Sequence, residues 1–455
     1  MSTNASQDLS TRHASAGEVF RMALPIILSM LSMSLLGLVD TFFMGWIGPN
    51  AQAAVGLGSP SIFSLLALSF GTLSGLTTFV SQFYGAKKYS NCGNILWHGI
   101  YLALLFGLGS LCLIIPLWDL LCFIQVNPDF IHETYDYIRI RLMAAPWLFV
   151  SFSLISYLRG LGDMKTPAIV SAITVFINIP LTYVFTFGFA GIPAYGVAGA
   201  AIGTIIAQAL ELVLYAAVVF NRRNACLYDT RHIVVPKLAT YLAFLKVSFP
   251  VGISWALEHF GWLVFGFYIA TLSKEEAAAN AIIQVFMNVA FMPGLAISIA
   301  AMTLVGQYMG AKNIRSAEQS TYYSMFMSIG CLVSLGLLFM ILRYHIAGMF
   351  SGDAKVVEIT ANLFFIGAVY QVFDAMGVTT SGALRGAGDT RFPMLIQLLA
   401  IWFVMVPLIF YFGPKWGVYG AWIAASIATI VMGLCYYLRF RTGKWKSMGV
   451  TEPAE

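Results

Sequence analysis

Asp40, Glu258 and Asp374 each lie well inside long apolar runs of the sequence, where a carboxylate has no ordinary reason to be. Withdrawn from water, and crowded by a second one, a carboxylate is poised to take up a proton or a small cation. No Lys or Arg stands in the middle of these runs, so ion binding is the first chemistry to consider and a buried ion pair the bland alternative. Local spacing adds to this. Tyr370 precedes Asp374 by one helical turn and shares its face, where its hydroxyl or ring can meet the carboxylate or a bound cation. Trp255 and Trp262 flank Glu258 by three and four residues. Such an aromatic wall suits lipophilic cations, although the same rings serve as well in core or lipid-facing packing. Asn178 offers an amide carbonyl near Asp40, a residue type that more often joins helices. Gln284 completes the expected substrate-facing set.

Other chemistries find less to work with. His259 adjoins Glu258 but points about 100 degrees away on a helix, and His98 stands alone; a hydrogen-bonded core histidine explains both. His132-Glu133 begins like a zinc-protease motif, but Asp136 stands where its next histidine would fall. No GxSxG, Walker A or paired-Asp motif occurs, so an enzyme has no residues to run on and no cofactor is called for. Cys92, Cys112, Cys122, Cys226, Cys331 and Cys435 sit singly, which indicates neither a zinc site nor a disulfide framework.

The elements that must position these residues are membrane spans. Of 455 residues, 59% are hydrophobic and 10% charged, against about 25% charged in an average soluble domain. Apolar runs of about 20 residues, each enough to cross the hydrocarbon, are expected near 20–44, 53–83, 92–118, 134–158, 166–189, 194–220, 241–270, 277–308, 317–342, 356–384, 392–413 and 417–438. The fold class is therefore an all-α polytopic membrane protein of about twelve transmembrane helices. The polar amino terminus has no short apolar core before a small-residue cleavage site, so it does not read as a signal peptide.

Basic residues orient the spans, because cytoplasmic loops retain Lys and Arg. They gather at Arg12, Arg21, Lys87, Lys88, Arg159, Lys165, Arg222, Arg223, Arg231, Lys237, Lys312, Arg315, Arg385, Arg391 and the tail from Arg439 to Lys446. The opposite connections hold Lys274, Arg343, Lys355 and Lys415, while Arg139, Arg141 and Lys246 lie within or at the edges of spans. Both termini are expected in the cytoplasm, in a multi-pass cell membrane protein. The net charge of +5 is this inner skirt and needs no nucleic-acid partner.

The chain is a duplication. VSQFYGAKK at Val80 pairs with VGQYMGAKN at Val305, 225 residues on; LRGLGD at Leu158 pairs with LRGAGD at Leu384; GVAGA at Gly196 pairs with GVYGA at Gly417. Six spans per repeat, an even number, make the repeats parallel, related by an axis along the membrane normal. The expected domains are an amino-terminal lobe over 1–220, a charged cytoplasmic linker over 221–240 and a carboxy-terminal lobe over 241–455. Pro25 and Pro250 repeat too, inside spans and ahead of the acidic residues, where a helix bends and could gate. The acids themselves are not repeated: the offset places Glu258 opposite Met33 and Asp40 opposite Phe265.

VDTFFMGWIG with Asp40, VSQFYGAKK, the LRGxGD turns, SFPVGISWALEHF with Glu258 and AVYQVFDAMGVTTSGALRG with Asp374 together resemble the MATE family, multidrug and toxic compound extrusion. The resemblance runs from Glu18 to Arg439 and is strongest to the NorM-like branch, whose carboxy-lobe acidic pair and tyrosine match Glu258, Asp374 and Tyr370. It implies two six-helix lobes in a V, alternating access, and antiport of organic cations against Na+ or H+. Glu258 and Asp374 would then hold the coupling ion, Na+ included, with Tyr370 beside them and Asp40 and Asn178 as a second site. The expected partners are small organic cations and the lipid bilayer, with the protein a monomer. A lipid-linked oligosaccharide flippase of the same superfamily and an ion channel stay open as alternatives.

Overall fold

The computed structural model describes residues 9–123, 126–189 and 191–450. The polar stretch Met1–Asp8 and the side chain of Met33 lie outside the described residues. Helices follow one another as α1 (Ala16–Ile47), α2 (Pro49–Ser74), α3 (Leu76–Gly85), α4 (Tyr89–Leu111), α5 (Leu117–Phe123), α6 (Ile131–Met143), α7 (Ala145–Gly160), α8 (Lys165–Phe187), α9 (Gly196–Val219) and α10 (Arg222–Tyr228). Then come α11 (Leu238–Ala270), α12 (Lys274–Gly310), α13 (Ile314–Phe350), α14 (Ala354–Ala387), α15 (Arg391–Leu398) and α16 (Val406–Arg441). The described residues hold no strand beyond one isolated bridge, Phe189 with Ile192. In hydrocarbon every backbone group must be satisfied within its own segment, and helices do this.

Nine apolar helices among the described residues are long enough to cross a membrane, and α6 with α7, bent by 54° at their junction, make a tenth. The 32 residues of α1 make an eleventh. The continuous stretch Arg391–Arg441 is 51 residues long, roughly 75 Å of helix and more than two hydrocarbon thicknesses. It turns at Gly417, whose φ of 57° and ψ of −134° no side chain tolerates well, and so supplies two crossings. Twelve spans result.

The duplication is written in the backbone as well as the sequence. Left-handed residues recur in register: Lys87 with Lys312, Gly162 with Gly388, Gly196 with Gly417. At the LRGxGD turns the helix ends with a glycine in the left-handed region, followed by hydrogen bonds from Asp163 N to Leu158 O (3.0 Å) and from Asp389 N to Leu384 O (2.9 Å). This closes off the last carbonyls of α7 and α14 in the same way. Tyr215 donates to Pro167 O and Tyr436 to Pro393 O, at 3.3 and 3.2 Å. The two aspartates differ in use. Asp163 accepts from Thr166, whereas Asp389 pairs with Arg439 at 2.7 Å.

Two compact units emerge. One takes Leu28–Val80 and Lys88–Gly252; in it Gly199 and Gly203 press against the backbone of α8 at Phe185 and Thr182, which is plain small-residue packing. The segment after α9 folds down here: Asn221 caps α10, Thr230 donates to Val219 O and Trp97 donates to Thr230 O. The other unit joins the described residues up to Ile27 with Ser81–Lys87 and everything from Ile253 onward. Within it the repeated motifs meet reciprocally, Gly85 against the carbonyl of Gln307 and Gly310 against the carbonyl of Gln82. Its core is built on Phe265, Ile283, Leu363, Phe364, Ile401 and Trp422.

Candidate functional site: a buried carboxylate pair

Glu258 on α11 and Asp374 on α14 lie within electrostatic reach of each other inside one unit. Both are half-buried. Gln397, on α15, donates through Nε2 to Glu258 Oε2 at 2.8 Å. Its amide is only 5% exposed, and Oε1 is buried with no hydrogen-bond partner. The carboxylate pair is thus accompanied by a neutral oxygen that has no donor. Oxygen ligands of this kind suit a hard cation, which strips its water only where several of them gather.

Gln397 lies near the end of α15, just ahead of an irregular stretch. From Leu399 to Met405 the backbone is π-helical, leading into α16. Pro407 explains it: proline has no N–H to give the carbonyl of Phe403, so the ladder slips to the next donor. Gln397 itself sits in the regular turn just before the π-helical segment begins.

Tyr370 lies within electrostatic reach of Asp374 and stacks on Trp422, with ring centroids 6.4 Å apart. Trp422 is anchored in turn by Nε1 donating to Asn280 Oδ1 at 3.0 Å. Arg385, in the last turn of α14, feels the charge of Glu258, and Tyr436 feels both. The pair is not purely acidic. Sequence reasoning placed Arg385 in a cytoplasmic turn and overlooked Gln397, a lone polar side chain inside the apolar run 392–413.

The remaining expected residues divide. Trp262 stands edge-on to Phe265 at 5.3 Å and is 38% exposed. Trp255 gives its carbonyl to the ring of His259, whose Nδ1 donates at 2.8 Å. His98 does the same to Asn94 O, also at 2.8 Å. Gln284 is half-buried on α12, next to the core residue Ile283. Pro25 and Pro250 lie inside α1 and α11.

In the other unit Asn178 is 1% exposed and accepts from Thr182 at 3.0 Å. It forms no hydrogen bond with Asp40. The charged neighbour of Asp40 is instead Arg141 of α6, whose Nη1 donates to Gln208 Oε1 of α9 at 3.0 Å. The end of α1 packs on α8 through Phe43, Trp46, Tyr183 and Phe187.

A twelve-span helical fold built from two repeats, with ionisable groups withdrawn from water inside it, defines a polytopic membrane transporter. The sequence pattern of the MatE family matches residues 25–184 and 250–411, one block in each repeat, and the chain belongs to that family. It is 29% identical over 439 residues to a probable multidrug resistance protein NorM of Thermotoga maritima, covering 95% of this chain and 94% of that protein. A protein of the same name from Mannheimia succiniciproducens is 27% identical, with 94% of each chain covered. Among solved structures, a MATE in the bent conformation superposes with a TM-score of 0.87 at 20% identity, over 99% of this chain and all of that one. A transporter of the MOP superfamily from Pyrococcus furiosus, described as having a binding pocket of reverse polarity, gives 0.87 at 19% identity, over 98% of this chain and 100% of that one. These likenesses fix the shared fold.

Proposed function

We propose that this protein is a secondary active multidrug exporter that antiports amphipathic, mostly cationic organic compounds against inward Na+ or H+ by alternating access. The observation that carries the reading is the Glu258–Asp374 pair with Tyr370 beside it, membrane-buried acids in a chain whose relatives bear multidrug resistance names. In this reading the pair holds the coupling ion, Gln397 fixes Glu258 and lends an oxygen, and Asp40 forms a separate site. Ion and drug compete for the same charges. For a substrate without net charge, one inward charge across 100 mV supplies about 2.3 kcal/mol, enough for a roughly fifty-fold gradient in one-to-one exchange, whereas a monovalent cation exchanged one-to-one moves no net charge and is driven by the chemical gradient of the coupling ion. No nucleotide is consumed.

Purified protein in liposomes, given an inward Na+ or H+ gradient and ethidium, tests this directly. Gradient-dependent ethidium movement is the expected result, and the ion whose removal stops it is the coupling ion. Movement of ethidium or ions without coupling would instead indicate a channel. Transport of a lipid-linked pyrophosphate without ethidium movement would indicate a flippase.

A further inference from the structure

The helix α3 runs from Leu76 to Gly85, but its residues up to Val80 belong to one compact unit and those from Ser81 onward to the other. Units that change position in alternating access would pull on this helix unless its end can part from the unit that holds it. Gln82 does the holding. Its side chain is fully buried, and both ends of its amide are used. Nε2 donates to Gly386 O at 2.9 Å in the last turn of α14, and Oε1 accepts from Val450 N at 2.7 Å in the segment that follows α16. An amide satisfied at both ends is gripped in one orientation; without Val450 N–H its oxygen loses that donor.

The segment that supplies the donor is built to reach it. Gly443, in the left-handed region at a φ of 69°, turns the chain after α16. Trp445 is 1% exposed, stacks on Phe440 with ring centroids 5.1 Å apart, and donates through Nε1 to Phe440 O at 2.9 Å. Beyond it the chain crosses the LRGAGD turn, where a Cβ on Gly388 would stand 2.6 Å from Met448 O, so that glycine admits the crossing. Lys446 adds an exposed pair with Glu318 at 2.7 Å, a contact that contributes little by itself. The first repeat uses the corresponding segment differently: the chain after α9 lies on α4, with the carbonyl of Tyr228 against Gly93.

We propose that the segment Gly443–Val450 is a latch on α3. Anchored by Trp445, it holds Gln82 against α14 through the Val450 N–H, and transport must release that hold in each cycle. The inference rests on the export reading and adds to it a conformational control carried by the chain beyond the second repeat.

Ser81, next to Gln82, is fully buried and faces Gly306, so a cysteine there reports release of the α3 end. In protein whose native cysteines have been replaced, Ser81→Cys is reacted with N-ethylmaleimide at rest and during ethidium transport in liposomes. Val450→Pro deletes the donor N–H and leaves the rest of the segment in place; it should speed alkylation at rest by about fivefold, the scale of one hydrogen bond. Trp445→Ala should speed it by about tenfold or more, and Val450→Pro carries the test if that variant is not recovered as folded protein. With the latch intact, alkylation should rise when substrate and gradient are supplied. Ala361→Cys, equally buried near the start of α14, is the control and should keep its rate throughout. Resting rates at Ser81→Cys that Val450→Pro leaves unchanged, or that rise no more than those at Ala361→Cys, overturn the proposal, and so does transport that proceeds with no rise in alkylation. Wild-type protein that moves no ethidium defeats the export reading, while the resting rates still decide whether the segment holds α3.

Discussion

At the residue scale the chemistry turns on groups that water would normally hold. Asp374→Asn keeps shape and removes charge, so gradient-driven ethidium export should fall to the rate of empty liposomes while the protein still purifies as a single folded species. Glu258→Gln should do the same. Robust export by either variant would show that its carboxylate is structural. Gln397 allows a finer measurement, because it touches Glu258 without being ionisable. Gln397→Leu should weaken cation binding, read by calorimetry, by about tenfold, the scale of one hydrogen bond to a charged group. An unchanged affinity would reduce Gln397 to packing.

At the element scale the repeats meet their constraints with the same devices, and their differences are informative. Both LRGxGD turns end in a left-handed glycine, but the second also ties Asp389 to Arg439. Gly417 does more than its partner Gly196, since it turns a 51-residue helical stretch and leaves Val418 N to donate to Glu276 Oε1 at 2.9 Å. Glu276 is already occupied by Ser273 in a capping box at the start of α12. A methyl group at Gly417 would strike that carboxylate and strain the backbone. Gly417→Ala should therefore destabilise the protein by about 1–3 kcal/mol, seen as a lowered melting temperature. Gly330→Ala, in α13 with open space around it, should be neutral or slightly stabilising. Equal melting shifts in the two variants would show that the turn at Gly417 carries no strain.

At the scale of the whole molecule, twelve crossings would put both ends of the chain on one face, and we propose from the basic skirt that this face is the cytoplasmic one. The expected outcome is simple to check once the native cysteines, three of them exposed, are removed. Single cysteines placed at Ser15 and Ser447 should escape an impermeant maleimide in intact cells and react in inverted vesicles. Labelling of one but not the other in intact cells would require an odd number of crossings. The membrane class, the number of spans, the duplication and the three acidic positions were all legible in the sequence. Each is a matter of composition, period or repetition along the chain, which hydrocarbon enforces locally and without reference to neighbours. What the sequence by itself left undecided was who stands beside whom. Arg141 read as a residue within or at the edge of a span and Asn178 as an amide near Asp40; in the structure the arginine donates to Gln208 on α9, and the asparagine accepts from Thr182 within its own helix. Gln397 reads as one polar residue in an apolar run, and only the packing of α15 on α11 sets it against Glu258. Side-chain partners across helices depend on bends and crossings that no single segment specifies, so the charge balance of each site was settled only when the helices packed.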